Sequence, residues 1–559
     1  MNAPMNRPLA LPPPEWAIEL PDGRDVWTPL RDGVRLAATV WLPEPAGRYP
    51  VLLARTPYGR GPYGPGLRLD VARLLSAGYA VMVQDVRGTG ESEGDLRFLT
   101  GEAADGYDTV TWAARQPWCD GQVGMFGDSY LGVAQLLAAS ERPDGLRAVA
   151  PSVSPAGLHD VVYDGGVHRL GVVLPVLATV LAPLHLARRA RLGLAEHGRP
   201  AAPAARLGEM LRRLPVEDQP EINGLFPFYA DWLAHPDPSH ELWRDADLKA
   251  RYDRVEVPVL LSTGWYDYFR DSTIRAYRAL RDSARLSARL SARLVVGPWT
   301  HALRERTLAG RDHGEHASGE AVDWTGLHLD WFGHWIRGTP LGDDARVRVF
   351  VTGACEWRAM ADWPPEESEA VHYHLGDGGT LGPETALRAC FLSDPGDPVP
   401  TTGGDVFEFL PPGPGPVDQR PLAGRADVLR YTTGPLPGPL EVTGAAELVV
   451  TSEPDARCFT VTGKLVDVRP DGREEILVDG IARVEGGGAQ PERVRVLLGN
   501  LAHVFGAGHR VRVEVAGSNF PKYARHPGAA RVTISAPSYL LLPVTGRPRS
   551  SRDAVRPRS

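Results

Sequence analysis

The chain has 559 residues and a formal net charge of −8, with 43% hydrophobic and 23% charged residues. This length is too great for one hydrophobic core, so several domains are expected. The net charge is small and no lysine- and arginine-rich run occurs, so nothing favours a nucleic-acid partner. The four cysteines are scattered without a C-x-x-C pair, which argues against a structural zinc site or a disulfide framework and favours a reducing compartment.

The N-terminal segment MNAPMNRPLALPPPEWAIEL is interrupted by prolines and lacks an apolar region of signal-peptide length. The most apolar segment, LGVVLPVLATVLAPLHLA, is long enough to raise the question of a membrane span. Pro175 and Pro183 break it, and RRARLG follows it. We therefore expect a buried helix or helical hairpin in a soluble, cytoplasmic protein without a membrane partner. A homodimer is considered.

Strands and helices alternate up to residue 155. The apolar runs YPVLLAR, YAVMVQD, VGMFG and LRAVAPSVS are typical of buried strands, and YLGVAQLLAAS is typical of a helix. Such alternation indicates a parallel sheet flanked by helices. Residues 1–155 are therefore predicted to be the first part of an α/β core.

The pattern changes twice in the rest of the chain. Residues 156–250 are helical in pattern, without a convincing strand, and predict a helical cap; strands return in VPVLLSTGWYD and ARLVVGPWTH, so residues 251–345 should complete the core. Short alternating segments between Gly- and Pro-rich turns predict an antiparallel β-sandwich over residues 346–545. The tail, residues 546–559, is expected to be disordered. The repeat SARLSARLSARL, residues 283–294, is interpreted as an expansion in the helix before a strand.

Three polar residues each follow an apolar strand. Ser129 comes after VGMFG within GMFGDSYLGV, Asp267 after VPVLLSTGWY, and His301 after ARLVVGPWT. In open parallel sheets ligands bind at the carboxyl ends of the strands, and the order Ser, Asp, His is the order of α/β-hydrolases. A serine hydroxyl needs an imidazole to take its proton, and a carboxylate holds that imidazole in the right tautomer. Each residue alone also has a structural interpretation, such as a helix cap for Asp267.

The chain resembles the cocaine esterase and X-Pro dipeptidyl-peptidase group of serine hydrolases, the CocE/NonD family, over nearly its whole length. The resemblance lies in RTPYGR, VMVQDVRGTGESEG, DGYDTVTWAARQPWCDGQVGMFGDSYLG, GWYDYF, RLVVGPWTH and HVFGAGHRVRVEVAGSNFP. It implies an α/β-hydrolase core with an inserted helical cap and a C-terminal jelly-roll-like β-sandwich domain. The family's elbow is G-x-S-Y-x-G, and this chain fits it.

The resemblance also implies roles for individual residues. Ser129 is similar to the family's nucleophile, Asp267 to its orienting acid and His301 to its general base. The oxyanion hole would combine the backbone N–H of Tyr130 with the hydroxyl of Tyr58, and no cofactor or metal is needed. Aromatic residues flank the expected acid and base and could either line a substrate pocket or belong to the core; they are Trp265, Tyr266, Phe269 and Trp299.

Other polar residues are expected to be structural. Asp85 and Arg87 are predicted to brace their loops by an ion pair, and Asp128 to face solvent or brace a loop. The segment RDHGEH offers a weak candidate for a metal site, since it lies on a loop without further ligands. Its candidate ligands are His313, Glu315 and His316.

The substrate stays open at this point. The expected enzyme is a serine hydrolase that cleaves an ester or amide bond in a small molecule or short peptide, and an esterase is preferred. The alternatives are an X-Pro dipeptidyl aminopeptidase, an α-amino-acid ester or β-lactam acylase, and an acyltransferase. The amine-recognising alternatives need acidic groups for the substrate ammonium, for which Asp164, Glu221 and Asp231 are candidates. A catalytically silent binding or scaffold protein is the remaining alternative.

Overall fold

The structure, a computed structural model, describes residues 22–61, 67–192, 203–284, 291–342, 345–485 and 491–545. The middle of the SARL repeat, at residues 285–290, and the tail from residue 546 lie outside the described residues.

The chain forms two compact units whose segments alternate along the sequence. Unit 1 comprises Met1–Arg348, Asp405–Pro414 and Phe520–Pro527. Unit 2 comprises Val349–Gly404, Gly415–Asn519 and Gly528–Ser559. The finer division expected from the sequence, with a separate cap, stays a prediction.

Unit 1 is built around a mixed sheet. The strands described in this unit are, in chain order, β1 (Arg24–Pro29), β2 (Arg35–Trp41), β3 (Tyr49–Thr56), β4 (Ala80–Asp85), β5 (Cys119–Asp128), β6 (Leu146–Ser152), β7 (Tyr163–Asp164), β8 (Val167–His168), β9 (Val259–Tyr266), β10 (Ala292–Thr300), β11 (Thr307–Leu308) and β12 (Arg311–Asp312). The main sheet has the order β1-β2-β4-β3-β5-β6-β9-β10. Pairing is antiparallel from β1 to β4 and parallel from β4 to β10.

The parallel strands explain the apolar runs of the sequence. Strands β4 and β9 are buried along their whole length, and β3 along all but its first residue. Strands covered by helices on both faces need apolar side chains on both faces, so they show continuous rather than alternating hydrophobicity. The predicted α/β-hydrolase core is confirmed.

The helices of unit 1 either flank this sheet or belong to the insertion between β6 and β9. They are α1 (Val71–Ser76), α2 (Glu102–Ala114), α3 (Tyr130–Ser140), α4 (Leu158–Val162), α5 (Leu170–Pro175), α6 (Ala182–Arg191), α7 (Leu207–Arg212), α8 (Pro220–Asn223), α9 (Phe228–Ala234), α10 (Glu241–Arg244), α11 (Arg270–Ala284), α12 (Gly319–Val322) and α13 (Trp324–Arg337), with a π-helical segment, Val176–Leu181, between α5 and α6. Helices α4 to α10 follow one another between the core strands β6 and β9 and make up the helical insertion.

The insertion also contains a strand pair that the sequence pattern did not predict. Strands β7 and β8 form a hairpin over Gly165 and Gly166, which both have positive φ, 54° and 77°. Two successive residues with positive φ are what a tight hairpin turn requires. Strands of two residues are too short to show an alternating pattern, which is why the sequence indicated helices alone.

The apolar segment of the insertion is one helical run, Leu170–Arg191, of 22 residues. Its length and composition would allow it to cross a membrane, but 56% of its most apolar window is buried inside the protein, as in core helices of soluble proteins.

Unit 2 is a β-sandwich. Strand β13 (Val347–Val351) spans the boundary between the units, and the strands described after it are β14 (Glu356–Met360), β15 (Glu369–Gly376), β16 (Thr380–Gly382), β17 (Arg388–Ser393), β18 (Leu429–Thr432), β19 (Leu440–Pro454), β20 (Cys458–Val468), β21 (Glu474–Glu485), β22 (Glu492–Phe505), β23 (Arg510–Ala516) and β24 (Ala530–Thr545). Its sheet has the order β21-β20-β23-β18-β16-β15-β24-β19-β22, with β17 paired to β24.

The sheet of unit 2 folds back on itself, so that its first and last strands approach each other. A Cβ atom on Gly480 of β21 would lie 1.9 Å from the carbonyl oxygen of Leu497 in β22. The side chains that point inward from the two halves of this sheet form one hydrophobic core, which includes Leu448, Phe459 and Val513. The predicted jelly-roll-like sandwich is thereby confirmed as a fold class.

Candidate active site

Ser129 lies on a sharp turn between β5 and α3. Its φ of 60° and ψ of −118° are unusual for a residue other than glycine, and such backbone strain is typical of active sites. Glycines make the turn possible on both sides. A Cβ on Gly132 would lie 2.9 Å from the Cβ of Ser154, and Gly127 has a φ of 127°. Leu131 fits at the position of the usual second glycine because its side chain lies over Gly127, where a Cβ would be only 2.7 Å away.

Asp267 and His301 meet where β9 and β10 end. These two strands are parallel neighbours, and Tyr266 is in register with Thr300, so the residues after them are adjacent. Nδ1 of His301 lies 2.8 Å from Oδ1 of Asp267, which is fully buried. The carboxylate also accepts hydrogen bonds from the Thr263 hydroxyl at 2.7 Å and the Phe269 N–H at 3.0 Å. The carboxylate is therefore fixed from several sides, and it also caps the turn that leads into α11.

Two aromatic rings hold the imidazole of His301. Tyr268 stacks on it with a centroid distance of 4.3 Å and an interplanar angle of 20°, and Phe269 meets it edge-on at 5.7 Å. Both rings also line the cavity into which Ser129 opens. Tyr268 was not predicted as a site residue, although GWYDYF places it directly after the expected acid.

Tyr58 and Ser129 line the same cavity. It lies two residues past the end of β3, where its N–H donates to Oγ1 of Thr56 at 3.0 Å. Its hydroxyl lies near the side chain of Ser129. Burial raises the pKa of Tyr58 to about 12, and the neighbouring Ser129 side chain opposes that rise. The hydroxyl is therefore a protonated donor throughout the neutral range.

The backbone N–H of Tyr130 is the second expected donor. Tyr130 is the first residue of α3, and the N–H groups of a first helical turn have no acceptor within the helix. They also lie at the positive end of the helix dipole, which favours a negative charge there. This end of α3 can stabilise a developing anion beside Ser129.

An apolar cavity opens over Ser129 within unit 1. It encloses about 490 Å³ of empty space, including part of its opening. One wall is the helical run after β8, which contributes Val172, Val173, Val176 and Leu177, and Phe98 and Trp232 lie among the other lining residues. Within the described part of the chain, the side chains that line this cavity include no aspartate or glutamate.

The predicted pocket aromatics separate in the structure. Phe269 lines the cavity, whereas Trp265, Tyr266 and Trp299 are buried side chains that are not among the described residues lining it. The indole N–H of Trp299 donates to the carbonyl oxygen of Ala317 at 2.6 Å, so this ring points toward the loop before α12. Runs of aromatic residues at strand ends do not reveal which rings face the ligand.

Arg68 joins the two halves of the site and was not predicted from the sequence. Its Nε donates to the carboxylate of Asp128, the residue before Ser129. Its other nitrogens donate to the backbone carbonyls of Ala302 and, at 2.8 Å, His301. Asp128 is buried and so braces the elbow against the loop of the imidazole. Arg68 is 60 residues from Asp128, and no motif links the two.

The remaining candidates are structural. Asp85 pairs with Arg60 at 2.9 Å and Arg87 with Asp105 at 2.7 Å, so each braces a loop through its own partner. His313, Glu315 and His316 lie around β12 and the turn after it. Among the residues that the structure describes, no group of three or more histidine, cysteine or acidic side chains is placed to hold a metal ion.

One late segment of the chain packs beside the acid. Asp405, at the start of Asp405–Pro414, pairs with Lys522 and lies 3.8 Å from Arg270, three residues after Asp267. In the same segment, the ring of Phe407 lies 6.1 Å from that of Tyr268. All of these residues belong to unit 1.

Comparison with known proteins gives the family. The profile of the X-Pro dipeptidyl-peptidase S15 family matches residues 32–303, and that of the X-Pro dipeptidyl-peptidase C-terminal non-catalytic domain matches residues 341–557. The cocaine esterase of Rhodococcus sp. strain MB1 Bresler is 37% identical, over 91% of this chain and 92% of that protein.

Two solved structures share the fold. An α-amino acid ester hydrolase has a TM-score of 0.78 and 24% identity over 97% of this chain and all of its own. An aminopeptidase from a marine sediment Thaumarchaeota archaeon has a TM-score of 0.76 and 23% identity over 94% of this chain and 96% of that one. Together with the profiles and the esterase, they show that the chain is a serine hydrolase of the cocaine esterase and X-Pro dipeptidyl-peptidase (CocE/NonD) family.

Proposed function

We propose that this enzyme hydrolyses carboxylic esters with an apolar acyl group, with Ser129 as nucleophile, His301 as general base and Asp267 as the acid that orients it. One observation carries the proposal: Ser129 and the neighbouring Tyr58 line one apolar cavity, and its lining also includes the two rings that hold His301. The proposed nucleophile and oxyanion donor thus share one cavity, and the proposed base packs against two rings of the cavity wall.

The geometry supports an acyl-enzyme mechanism. Asp267 accepts a hydrogen bond from the N–H at Nδ1 of His301. Nε2 is therefore free to take the proton of the Ser129 hydroxyl while that oxygen attacks the ester carbonyl. The tetrahedral oxyanion accepts hydrogen bonds from the Tyr58 hydroxyl and the Tyr130 N–H. His301 then protonates the departing alcohol, and water attacks the acyl-enzyme by the same route.

The lining of the cavity favours a neutral acyl group over one with a free amine. A substrate ammonium would need an anionic partner once water is excluded, and the described lining residues provide none. The candidates named from the sequence are engaged elsewhere. Glu221 pairs with Arg213 at 2.7 Å and Arg206 at 2.5 Å, and Asp164 accepts from the Tyr523 hydroxyl at 2.8 Å. Asp231 is likewise not among the described residues of the lining.

Labelling with a fluorophosphonate probe tests the nucleophile. The wild-type enzyme should be labelled, Ser129→Ala should not, and Ser140→Ala, which removes a buried serine at the other end of α3, should be labelled like the wild type. A labelled Ser129→Ala variant would contradict the assignment. The substrate class is tested by comparing p-nitrophenyl esters of unsubstituted fatty acids with X-Pro anilides and α-aminoacyl esters, and turnover confined to the free-amine substrates would exclude the plain esterase.

The cellular setting proposed is the cytoplasm. All four cysteines are free thiols, Cys119 being buried, which suits a reducing compartment. The homodimer considered from the sequence stays a prediction.

A further inference from the structure

A buried ionic network lies directly behind the nucleophile turn. Arg55 on β3, Glu102 at the start of α2 and Tyr130 at the start of α3 are exposed by only 1%, 3% and 3%. Nη1 of Arg55 donates to Oε2 of Glu102, and the Tyr130 hydroxyl donates to Oε1 of the same carboxylate at 3.0 Å. One carboxylate thus joins the strand that leads to Tyr58 with the residue that follows Ser129.

The rest of the network fixes these groups. Nε of Arg55 donates to Oε1 of Gln84 at 2.8 Å, and the Tyr130 hydroxyl accepts from the Leu99 N–H at 3.3 Å. Burial and the nearby Glu102 charge raise the pKa of Tyr130 well above the ordinary value, so the phenol keeps its proton. At neutral pH the phenol is therefore protonated and donates to Glu102.

Helices α2 and α3 pack closely beside this network. A Cβ on Gly106, one turn after Glu102, would lie 2.6 Å from the Cβ of Ala138 and 3.3 Å from Nη1 of Arg55. Only glycine lets the two helices approach closely while the guanidinium lies between β3 and α2. The positions of the carboxylate and the phenol are thereby set by backbone packing.

Stability alone does not account for these charges. Burying an ion pair costs desolvation energy that the attraction between the charges often only balances, and apolar replacements are frequently as stable. The location is more informative. Tyr58 comes three residues after Arg55, and the N–H of Tyr130 belongs to the residue whose ring the network holds.

We propose that Arg55 and Glu102 are positioning residues that hold Tyr130, and with it the backbone N–H beside Ser129, at the right place relative to the Tyr58 hydroxyl for both to bind one oxyanion. This inference rests on the proposed function. Donors must lie about 2.7–3.1 Å from the oxyanion, and small misplacements near the reacting atoms cost up to about 100-fold in rate. Loosening the ring of Tyr130 should therefore lower kcat and leave KM nearly unchanged.

The test compares an ester with its thionoester, whose C=S group is a poor hydrogen-bond acceptor. Tyr130→Phe keeps the ring and removes one hydroxyl. Its kcat for the oxoester should fall about 10- to 100-fold, with a smaller fall for the thionoester, so the ratio of the two rates should drop. A purely structural loosening would lower both rates equally. Glu102→Gln should change the ratio in the same direction. Because this variant leaves Arg55 without its counter-charge and can lose stability, Tyr130→Phe provides the same test in a variant that keeps the ion pair.

Asp105→Asn is the matched control. Asp105 is on the same helix, is buried and pairs with an arginine, Arg87, at 2.7 Å, but it does not contact Tyr130. It should keep the wild-type ratio. The positioning role is overturned if a folded Tyr130→Phe variant keeps the wild-type ratio of oxoester to thionoester rates. The proposed function still holds in that case, provided that the fluorophosphonate labels Ser129. If the wild-type enzyme is not labelled, the proposed function fails, and this inference fails with it.

Discussion

Tyr58 lines the cavity beside Ser129, and its hydroxyl is the side-chain donor proposed for the oxyanion hole. Tyr58→Phe keeps the ring and deletes the hydroxyl that would bind the oxyanion. Loss of one such donor typically lowers kcat about 100- to 1,000-fold, because the bond strengthens as charge develops in the transition state. KM should change little, and steady-state kinetics with a p-nitrophenyl ester measures both constants.

The pH profile provides the control for that variant. An ordinary tyrosine ionises near pH 10, but burial raises the pKa of Tyr58 to about 12, so its neutral hydroxyl persists at higher pH. The wild type and Tyr58→Phe should therefore show alkaline limbs of the same shape at different heights. A wild-type decline near pH 10 that disappears in Tyr58→Phe would contradict the assigned protonation.

The sequence predicts some residues of the site because their positions follow from strand ends. Ser129, Asp267 and His301 each come within two residues of the end of an apolar run, and parallel strands bring such ends together. Their catalytic roles stay predictions. Arg68 and Glu102 could not be found in this way, because each acts on a partner far away in sequence, through packing that one sequence does not encode in its spacing.

At the scale of elements, the helical run from Leu170 to Arg191 determines the shape of the acyl cavity. Its π-helical segment lies between Pro175 and Pro183, which each lack an N–H for the helical ladder, and the Thr179 hydroxyl donates to the Pro175 carbonyl at 2.7 Å. The proline breaks suggested either one helix or a hairpin, and the structure shows a single run. The spacing of the prolines alone does not predict that a π-helical segment continues the helix between them.

Enlarging one side chain on this run should change the preferred acyl length. Val173 lines the cavity, so Val173→Phe should reduce its depth and lower kcat/KM for hexanoyl relative to acetyl esters. Each methylene that can no longer be buried costs about 0.8 kcal/mol, or about fourfold in kcat/KM. A series of p-nitrophenyl esters of increasing length measures the change.

Leu184→Phe is the matched control on the same helical run. Leu184 is 40% exposed and is not among the described residues that line the cavity over Ser129, so its replacement should leave the chain-length profile unchanged. An equal shift in both variants would mean that the helix as a whole, rather than the lining at Val173, sets the preference.

At the scale of the whole molecule, two buried titratable groups of unit 1 should lower the free energy of unfolding as the pH becomes acid. His168 is buried, its ring contacts the Val162 carbonyl at 3.0 Å, and burial lowers its pKa from 6.5 to about 4. Between these values the unfolded chain binds a proton that the folded chain does not, so the free energy of unfolding falls as pH drops from 6.5 to about 4. The loss should reach at most about 3 kcal/mol, at 1.36 kcal/mol per pKa unit.

Urea unfolding at pH 7, 5 and 4 measures this loss, and His168→Gln, which cannot be protonated, should lose less. Asp160 adds a second decline. Lys249 and Arg275 hold its pKa at about 2 against the effect of burial, so its contribution is lost only as pH falls from 3.8 toward 2. An unchanged slope in His168→Gln between pH 7 and 4 would assign the acid sensitivity to other groups.

The way unit 1 is assembled from separate segments determines when it can be completed during synthesis. Asp405–Pro414 and Phe520–Pro527 belong to this unit, and Asp405 lies beside the arginine that follows the acid Asp267. A ribosome must therefore translate to residue 527 before unit 1 possesses all of its own segments. A nascent chain released before that residue would lack part of unit 1.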